Sequence, residues 1–347
     1  MLPPRILRRL VLAPLLPVIT VALVVTLPLL LIAAAAASPS LPGRWRGLRL
    51  LWFCLVWLTL ESVALMVCLA LWVASGFGGR LRSEAYQERH YALMRWFLGT
   101  LFSVATRAFH LRVEIEEPEL TAEEAAARLA RPLIVLSRHG GPGDSFLLVH
   151  RLLSEYQRRP RIVLKAMLQL DPGLDVVLNR LPHAFVRPER SSAVTREIER
   201  LAGGLGGTGA LVIFPEGGNY SPRRRQRAIE RLEQRQRLEE AARARAMHHL
   251  LAPRTGGALT AIAAAPEADV IFVAHTGLED LVTVGDIWRA LPIEQTLKAR
   301  WWRVPATEVP RGLPEEEQVR WLYDWWSRID AWIDENRPVP LPPRIST

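Results

Sequence analysis

Leu10 to Ala37 is a run of 28 residues without one charged side chain. About 20 apolar residues are enough for a helix to cross a bilayer, whereas a signal sequence has an apolar core of about 7–15. The run therefore predicts a first membrane helix, with Pro14, Pro17 and Pro28 as places to kink. Leu50 to Phe77 is a second run of the same kind, broken only by Glu61. A carboxylate at that depth costs a few kcal/mol unless paired or protonated, so Glu61 is expected to face protein or an interface. The short link Ser38–Gly47 makes residues 1–79 a transmembrane helical hairpin. Two spans put Met1 and everything beyond Gly79 on one side of the membrane.

The charge distribution points the same way. Residues 1–110 hold eleven Arg against three Glu, and 223–245 hold nine Arg against four Glu, in a chain of net charge +9. Basic charge beside apolar segments suits an anionic membrane surface, so no nucleic-acid partner is expected. Arg80, Arg82 and Arg89 tip the arginine balance toward a cytoplasmic location for both ends, on a cell membrane. Cys54 and Cys68, the two cysteines, lie in the second apolar run without metal-ligand spacing. Neither a disulfide framework nor a metal site is expected.

Residues 80–110 mix Trp96, Phe97, Leu98, Leu101, Phe102 and Phe109 with Arg89, Arg95 and Arg107. The pattern predicts an amphipathic helical segment on the membrane surface. The texture then changes. Strands are predicted at Leu111–Ile115, Leu133–Ser137, Ile162–Lys165, Ala184–Val186, Ala210–Phe214 and Val270–Ala274. Helices alternate with them: a short one opened by a Thr121/Glu124 capping box, then Asp144–Gln157, Ser191–Ala202, Arg224–Leu251, Gly257–Ala264 and Pro314–Glu335. Residues 111–337 thus read as an α/β domain, a mixed sheet flanked by helices, with 338–347 a proline-rich tail.

Two predicted strands end in chemistry. Leu133–Ser137 runs into Arg138-His139-Gly-Gly-Pro-Gly-Asp144. Asp144, across a tight turn, can fix the tautomer of His139 and raise its basicity, so that the pair deprotonates a hydroxyl. The second strand end is Phe214-Pro215-Glu216-Gly217-Gly218-Asn219. Either pattern alone is common in loops and turns, but sites in α/β sheets gather at the carboxyl ends of strands.

Together, Arg138-His139-x4-Asp144 and Phe214-Pro215-Glu216-Gly217, with 75 residues between His139 and Pro215, resemble the glycerolipid acyltransferase family typified by lysophosphatidate acyltransferase. Lys165 followed by Phe185-Val186-Arg187 is similar to that family's second block. His248-His249-Leu-Leu-Ala-Pro253-Arg254 and Trp321-Leu-x2-Trp325 resemble its long eukaryote-like branch. The resemblance covers about residues 85–335. It implies transfer of a fatty acyl group from acyl-CoA or acyl carrier protein to a lysophospholipid hydroxyl, most simply 1-acyl-sn-glycerol-3-phosphate to phosphatidic acid, without metal or other cofactor. His139 would be the general base, Asp144 its partner, and Glu216 would position the acceptor. Arg187 would meet the acceptor's phosphate, with Lys165 and Arg254 as further anion contacts. Gly217, Gly218 and Asn219 would line the acceptor site, and backbone N–H groups near Phe214–Gly217 would hold the oxyanion.

The chain departs from that pattern at two positions. Arg138 stands where the family usually has Asn, and Gly218-Asn219 where it has Thr-Arg. The lost arginine leaves a non-phosphate glycolipid or another lysolipid as the alternative acceptor, with Arg223–Arg225 near enough in sequence to substitute. Gly143-Asp144-Ser145-Phe146 also resembles the nucleophile block of a serine lipase class, but the Asp-x-x-His which that class needs late in the chain is absent. A catalytically inactive membrane scaffold is the remaining reading, and the presence of both His139 and Glu216 weighs against it.

Overall fold

The computed structural model describes residues 2–38, 45–117, 131–141, 143–187, 191–279, 284–291, 293 and 296–338. The predicted capping-box helix at Thr121 and most of the proline-rich tail lie outside them.

Two apolar helices open the chain, Arg5–Ala37 and Arg46–Ala74, each long and apolar enough to cross a membrane. They pack on each other, Thr20 Oγ1 lying 2.8 Å from Ser62 Oγ. The helix Glu84–Phe109 follows after a turn. Its apolar side, expected to rest on lipid, meets protein instead: Tyr91, Leu93, Met94 and Leu98 are buried in a cluster shared with the second apolar helix and the sheet.

Among the described residues seven strands form one sheet: β1 (Arg112–Glu116), β2 (Leu133–Ser137), β3 (Arg159–Lys165), β4 (Ala184–Val186), β5 (Gly209–Ile213), β6 (Asp269–Thr276) and β7 (Thr296–Val304). Their spatial order is β1-β7-β6-β2-β5-β3-β4. β6, β2, β5, β3 and β4 run parallel, and β7 pairs antiparallel with β6. The sheet is therefore mixed. β2 and β5 are buried throughout, as expected for parallel strands covered on both faces.

The strand period divides their side chains between two cores. Ile134, Leu136, Leu211 and Phe272 face the helices Ser191–Gly203, Thr255–Ala264 and Glu315–Asn336. Phe272 stacks on Trp325 at 4.6 Å, and Trp326 and Tyr323 are fully buried there. Leu133, Val135, Ala210 and Val212 face the other way, toward Glu84–Phe109, Asp144–Ser154 and Pro172–Leu178. Leu16, Ala64, Leu65 and Cys68 of the apolar hairpin belong to this second core.

Two expectations change. The basic segment expected as one helix over Arg224–Leu251 is two, Pro222–Gln234 and Leu238–Ala246, broken where Gln236 takes a left-handed backbone at φ 58. β7 was not apparent in the sequence. Lys298, Arg300 and Arg303 interrupt its apolar pattern, yet Arg303 Nη2 pairs with the buried Asp269 at 2.6 Å.

Candidate active site

β2 and β5 are neighbours and parallel, so their carboxyl ends deliver His139 and Glu216 to the same edge. The helix Asp144–Ser154 begins with Asp144, whose buried carboxylate turns back over the preceding loop. Asp144 Oδ2 lies 2.9 Å from His139 Nδ1 and accepts the N–H of Gly140 at 3.0 Å. Its other oxygen accepts from the N–H and the hydroxyl of Ser145. A carboxylate only accepts, so Nδ1 carries the proton and Nε2 is the basic nitrogen of the ring. Burial alone would raise Asp144. His139, His275 and the Gly141 N–H outweigh it and hold the carboxyl below its ordinary value, hence ionised. The His139 ring tilts against Phe214 at 4.8 Å between centroids, which fixes its other side.

Glu216 also has an internal role that the sequence did not show. It is 3 % exposed, and both oxygens are occupied by backbone: Oε1 accepts the His139 N–H at 2.8 Å, and Oε2 the Leu251 N–H at 3.0 Å. Burial pushes its carboxyl up to about 7, against the pull of Arg138 and of those two N–H groups. Glu216 thus ties the histidine loop to the Leu251 segment. Tyr220 N–H to His139 O at 3.2 Å closes the same loop pair.

Arg138 is likewise internal. Its guanidinium is fully buried, donating to His275 O and Glu279 Oε1, both at 2.6 Å. Glu279 in turn accepts the Gly277 N–H at 2.7 Å. Burial would raise Glu279, but the Arg138 charge and backbone N–H groups bring it down to about 2. The departure from Asn therefore places no arginine on the acceptor side. Ser145 donates its hydroxyl to Asp144, and among the described residues no histidine is hydrogen-bonded to it to support the lipase reading. His248 and His249 give their backbone N–H groups to Asp330. No set of three His, Cys, Asp or Glu among the described residues could hold a metal.

The expected anion contacts separate. Gly217 takes φ 69, a left-handed turn suited to glycine, and a β-carbon there would sit 2.7 Å from Arg254 Cζ. The Arg254 guanidinium thus lies directly over Gly217, and the Arg254 backbone N–H donates to Pro215 O at 2.9 Å. Arg224 Nη1 donates to Asn219 O at 3.0 Å, beside Gly218. Two exposed guanidinium groups therefore flank the turn where the resembled family has its arginine. Lys165 and Arg187 are exposed at the carboxyl ends of β3 and β4, on the same sheet edge. Arg187 is three strands from β2, about 14 Å at the usual spacing. The Gly217 N–H donates to Phe214 O at 3.0 Å and is not available to an oxyanion. On the other side of Asp144, an apolar cavity of about 80 Å³ is lined by Val135, Leu147, Leu148, Val273 and Trp301.

Residues 112–276, from the first residue of β1 to the last of β6, match the family model described as Acyltransferase. This segment is similar to an acyltransferase domain. No curated protein matches the chain. The match supports acyl transfer as the chemistry of this segment, and the His139–Asp144 pair lies inside it. Arg254, which sequence alone offered as a further anion contact, lies against Gly217 of the glutamate turn. No sequence signal could show that residue 254 returns to residue 217.

Proposed function

We propose that the chain is a membrane-bound enzyme that moves a fatty acyl group from an acyl-CoA or acyl carrier protein thioester to a lysophospholipid hydroxyl. The favoured acceptor is 1-acyl-sn-glycerol-3-phosphate, giving phosphatidic acid. The observation that carries the reading is the His139–Asp144 pair at the carboxyl end of β2 within the segment that matches the acyltransferase model. His139 Nε2 takes the acceptor's proton while its oxygen attacks the thioester carbonyl. Asp144 stabilises the imidazolium that forms. The tetrahedral intermediate then collapses, the carbon–sulfur bond breaks, and the leaving thiolate takes the proton from His139. No covalent enzyme intermediate is required.

Arg254 and Arg224 support an acceptor that carries phosphate. They supply positive charge at the turn where Asn219 supplies none. Lys165 and Arg187 extend that charge along the sheet edge. The apolar cavity beside Asp144 offers room for a short stretch of the acyl group's hydrocarbon. The test is product analysis. Purified full-length protein, labelled acyl-CoA or acyl carrier protein, and matched lyso-acceptors with and without a phosphate monoester should give labelled phosphatidic acid as the main product. Equal use of phosphorylated and dephosphorylated acceptors would instead favour the neutral-headgroup alternative.

A further inference from the structure

The arginines of residues 223–245 divide into two groups. Some are occupied by the protein itself. Arg225 donates to Met247 O and Arg245 O, both at 2.7 Å. Arg237 pairs with Glu240, Arg243 with Asp324 and Arg245 with Glu233. The side chains of Arg223, Arg227, Arg231 and Arg235 are exposed and, among the described residues, take no hydrogen bond or ion pair.

These follow one another at every fourth residue along the helix Pro222–Gln234 and its C-cap, Arg235. At 3.6 residues per turn they and Arg224 fall within about 120° of the helix circumference. No Asp or Glu lies inside that arc. The buried Ile229 stands opposite its middle, so the arc is the solvent face. The nearest acids are turned aside: Glu230 accepts from Gln226 Nε2 at 3.0 Å, and Glu233 holds Arg245. The result is a single-sign stripe, about 18 Å long at 1.5 Å per residue. Like charges four apart on a helix repel, so the stripe destabilises the free helix until an anionic surface covers it. Its first turn is at the site. Arg224 Nη1 donates to Asn219 O at 3.0 Å, and the next residue, Tyr220, gives its N–H to His139 O at 3.2 Å. Ile229 belongs to the core with Leu211 and Phe272, whereas Leu16, Ala64 and Cys68 of the apolar hairpin belong to the core on the other face. The sheet therefore stands between the stripe and the helices suited to lipid.

We infer that this stripe is the docking surface for an acidic, soluble carrier protein that presents the acyl group as a thioester, so that acyl carrier protein is the donor it serves. The inference rests on the reading of the chain as an enzyme that uses a thioester donor. Position argues against lipid, because the stripe is on the opposite sheet face from the hairpin. Shape argues against the nucleotide of acyl-CoA, because small ligands bind in concave sites and the exposed face of a helix is convex. An extended, convex patch of one sign suits a complementary protein face, which it steers and orients. A carrier seated along Arg227, Arg231 and Arg235 has its flexible arm at the Asn219–Tyr220 turn. The arm brings the thioester carbonyl to His139, and its thiol stays on the carrier once the acyl group has gone to the acceptor hydroxyl.

The test uses full-length protein in detergent carrying Arg227→Glu, Arg231→Glu and Arg235→Glu together, with Arg223 and Arg224 left in place beside the site. If that chain melts below wild type, Arg227→Gln with Arg231→Gln is read instead. Fluorescence anisotropy of dye-labelled palmitoyl-acyl carrier protein reports docking without turnover. Initial rates with palmitoyl-acyl carrier protein and palmitoyl-CoA, on one lysolipid acceptor, report its consequence. The variant should bind the carrier about tenfold or more weakly and raise its KM by a like factor, while the KM and kcat for palmitoyl-CoA stay within about twofold. Salt should weaken carrier binding by wild type and change that of the variant little. Equal carrier binding by wild type and variant, or none by wild type at low salt, would overturn the inference. So would a variant that keeps carrier binding but loses a dependence of palmitoyl-CoA turnover on phosphatidylglycerol in vesicles, which would give the stripe to lipid. Turnover with neither donor would contradict the proposed function, and the anisotropy would still decide the docking surface.

Discussion

The carboxylate of Glu216 accepts the backbone N–H of His139 at 2.8 Å, and through this bond the second motif of the site holds the first. Glu216→Gln leaves an amide with one acceptor oxygen facing two N–H donors, so either His139 or Leu251 loses its partner. The expected outcome is a fall in kcat with the acceptor KM nearly unchanged, plus a lower melting temperature. An acceptor KM that rises while kcat holds would mean that Glu216 touches the acceptor.

Arg254 crosses Gly217 closely enough to make both residues testable. A charge-assisted contact is worth about 1.5–3 kcal/mol, roughly tenfold or more in affinity. Arg254→Ala should raise the KM for a phosphate-bearing acceptor by that factor and change the KM for a neutral one little. Gly217→Ala should lower activity, because the new methyl displaces the guanidinium and the backbone there favours glycine. Steady-state kinetics on paired acceptors would check both.

The Arg138–Glu279 pair predicts an acid dependence of stability. Glu279 is held down at about 2, below its ordinary 4.5. Its contribution is therefore fully present above the ordinary carboxylate range and is lost as pH falls through that range toward 2. Glu279→Gln should destabilise the protein at pH 7 by about 3 kcal/mol, since Arg138 stays buried without its counter-charge. The difference from wild type should shrink on acidification. Melting curves in detergent across pH would show it, and a pH-independent difference would contradict it.

Filling the cavity beside Asp144 tests where the acyl chain goes. Leu148→Trp adds bulk to the cavity lining without touching the His139–Asp144 bond. It should shift preference toward shorter acyl donors while short-chain turnover persists. A competition assay with mixed acyl-CoA lengths would read the change, and an unaltered profile would place the chain elsewhere.

What the sequence could and could not disclose follows from the range of each signal. β2 and the His139–Asp144 pair were legible because strand, turn and helix start are local, and the pair needs only a five-residue turn. The roles of Arg138 and Glu216 were not, because each is fixed by partners far along the chain, His275 and Glu279 for one and Leu251 for the other. The break at Gln236 carries neither glycine nor proline to announce it. Length and apolarity described the hairpin helices well as helices.

The central claim is that His139 is the base in acyl transfer. Its direct test is the initial rate of labelled acyl-CoA transfer to 1-acyl-sn-glycerol-3-phosphate by purified full-length His139→Ala, beside wild type of equal melting temperature. General-base contributions are about 10²–10⁴-fold, so the variant should lose at least about a hundredfold in kcat. Near-normal turnover by a folded His139→Ala protein would contradict the account.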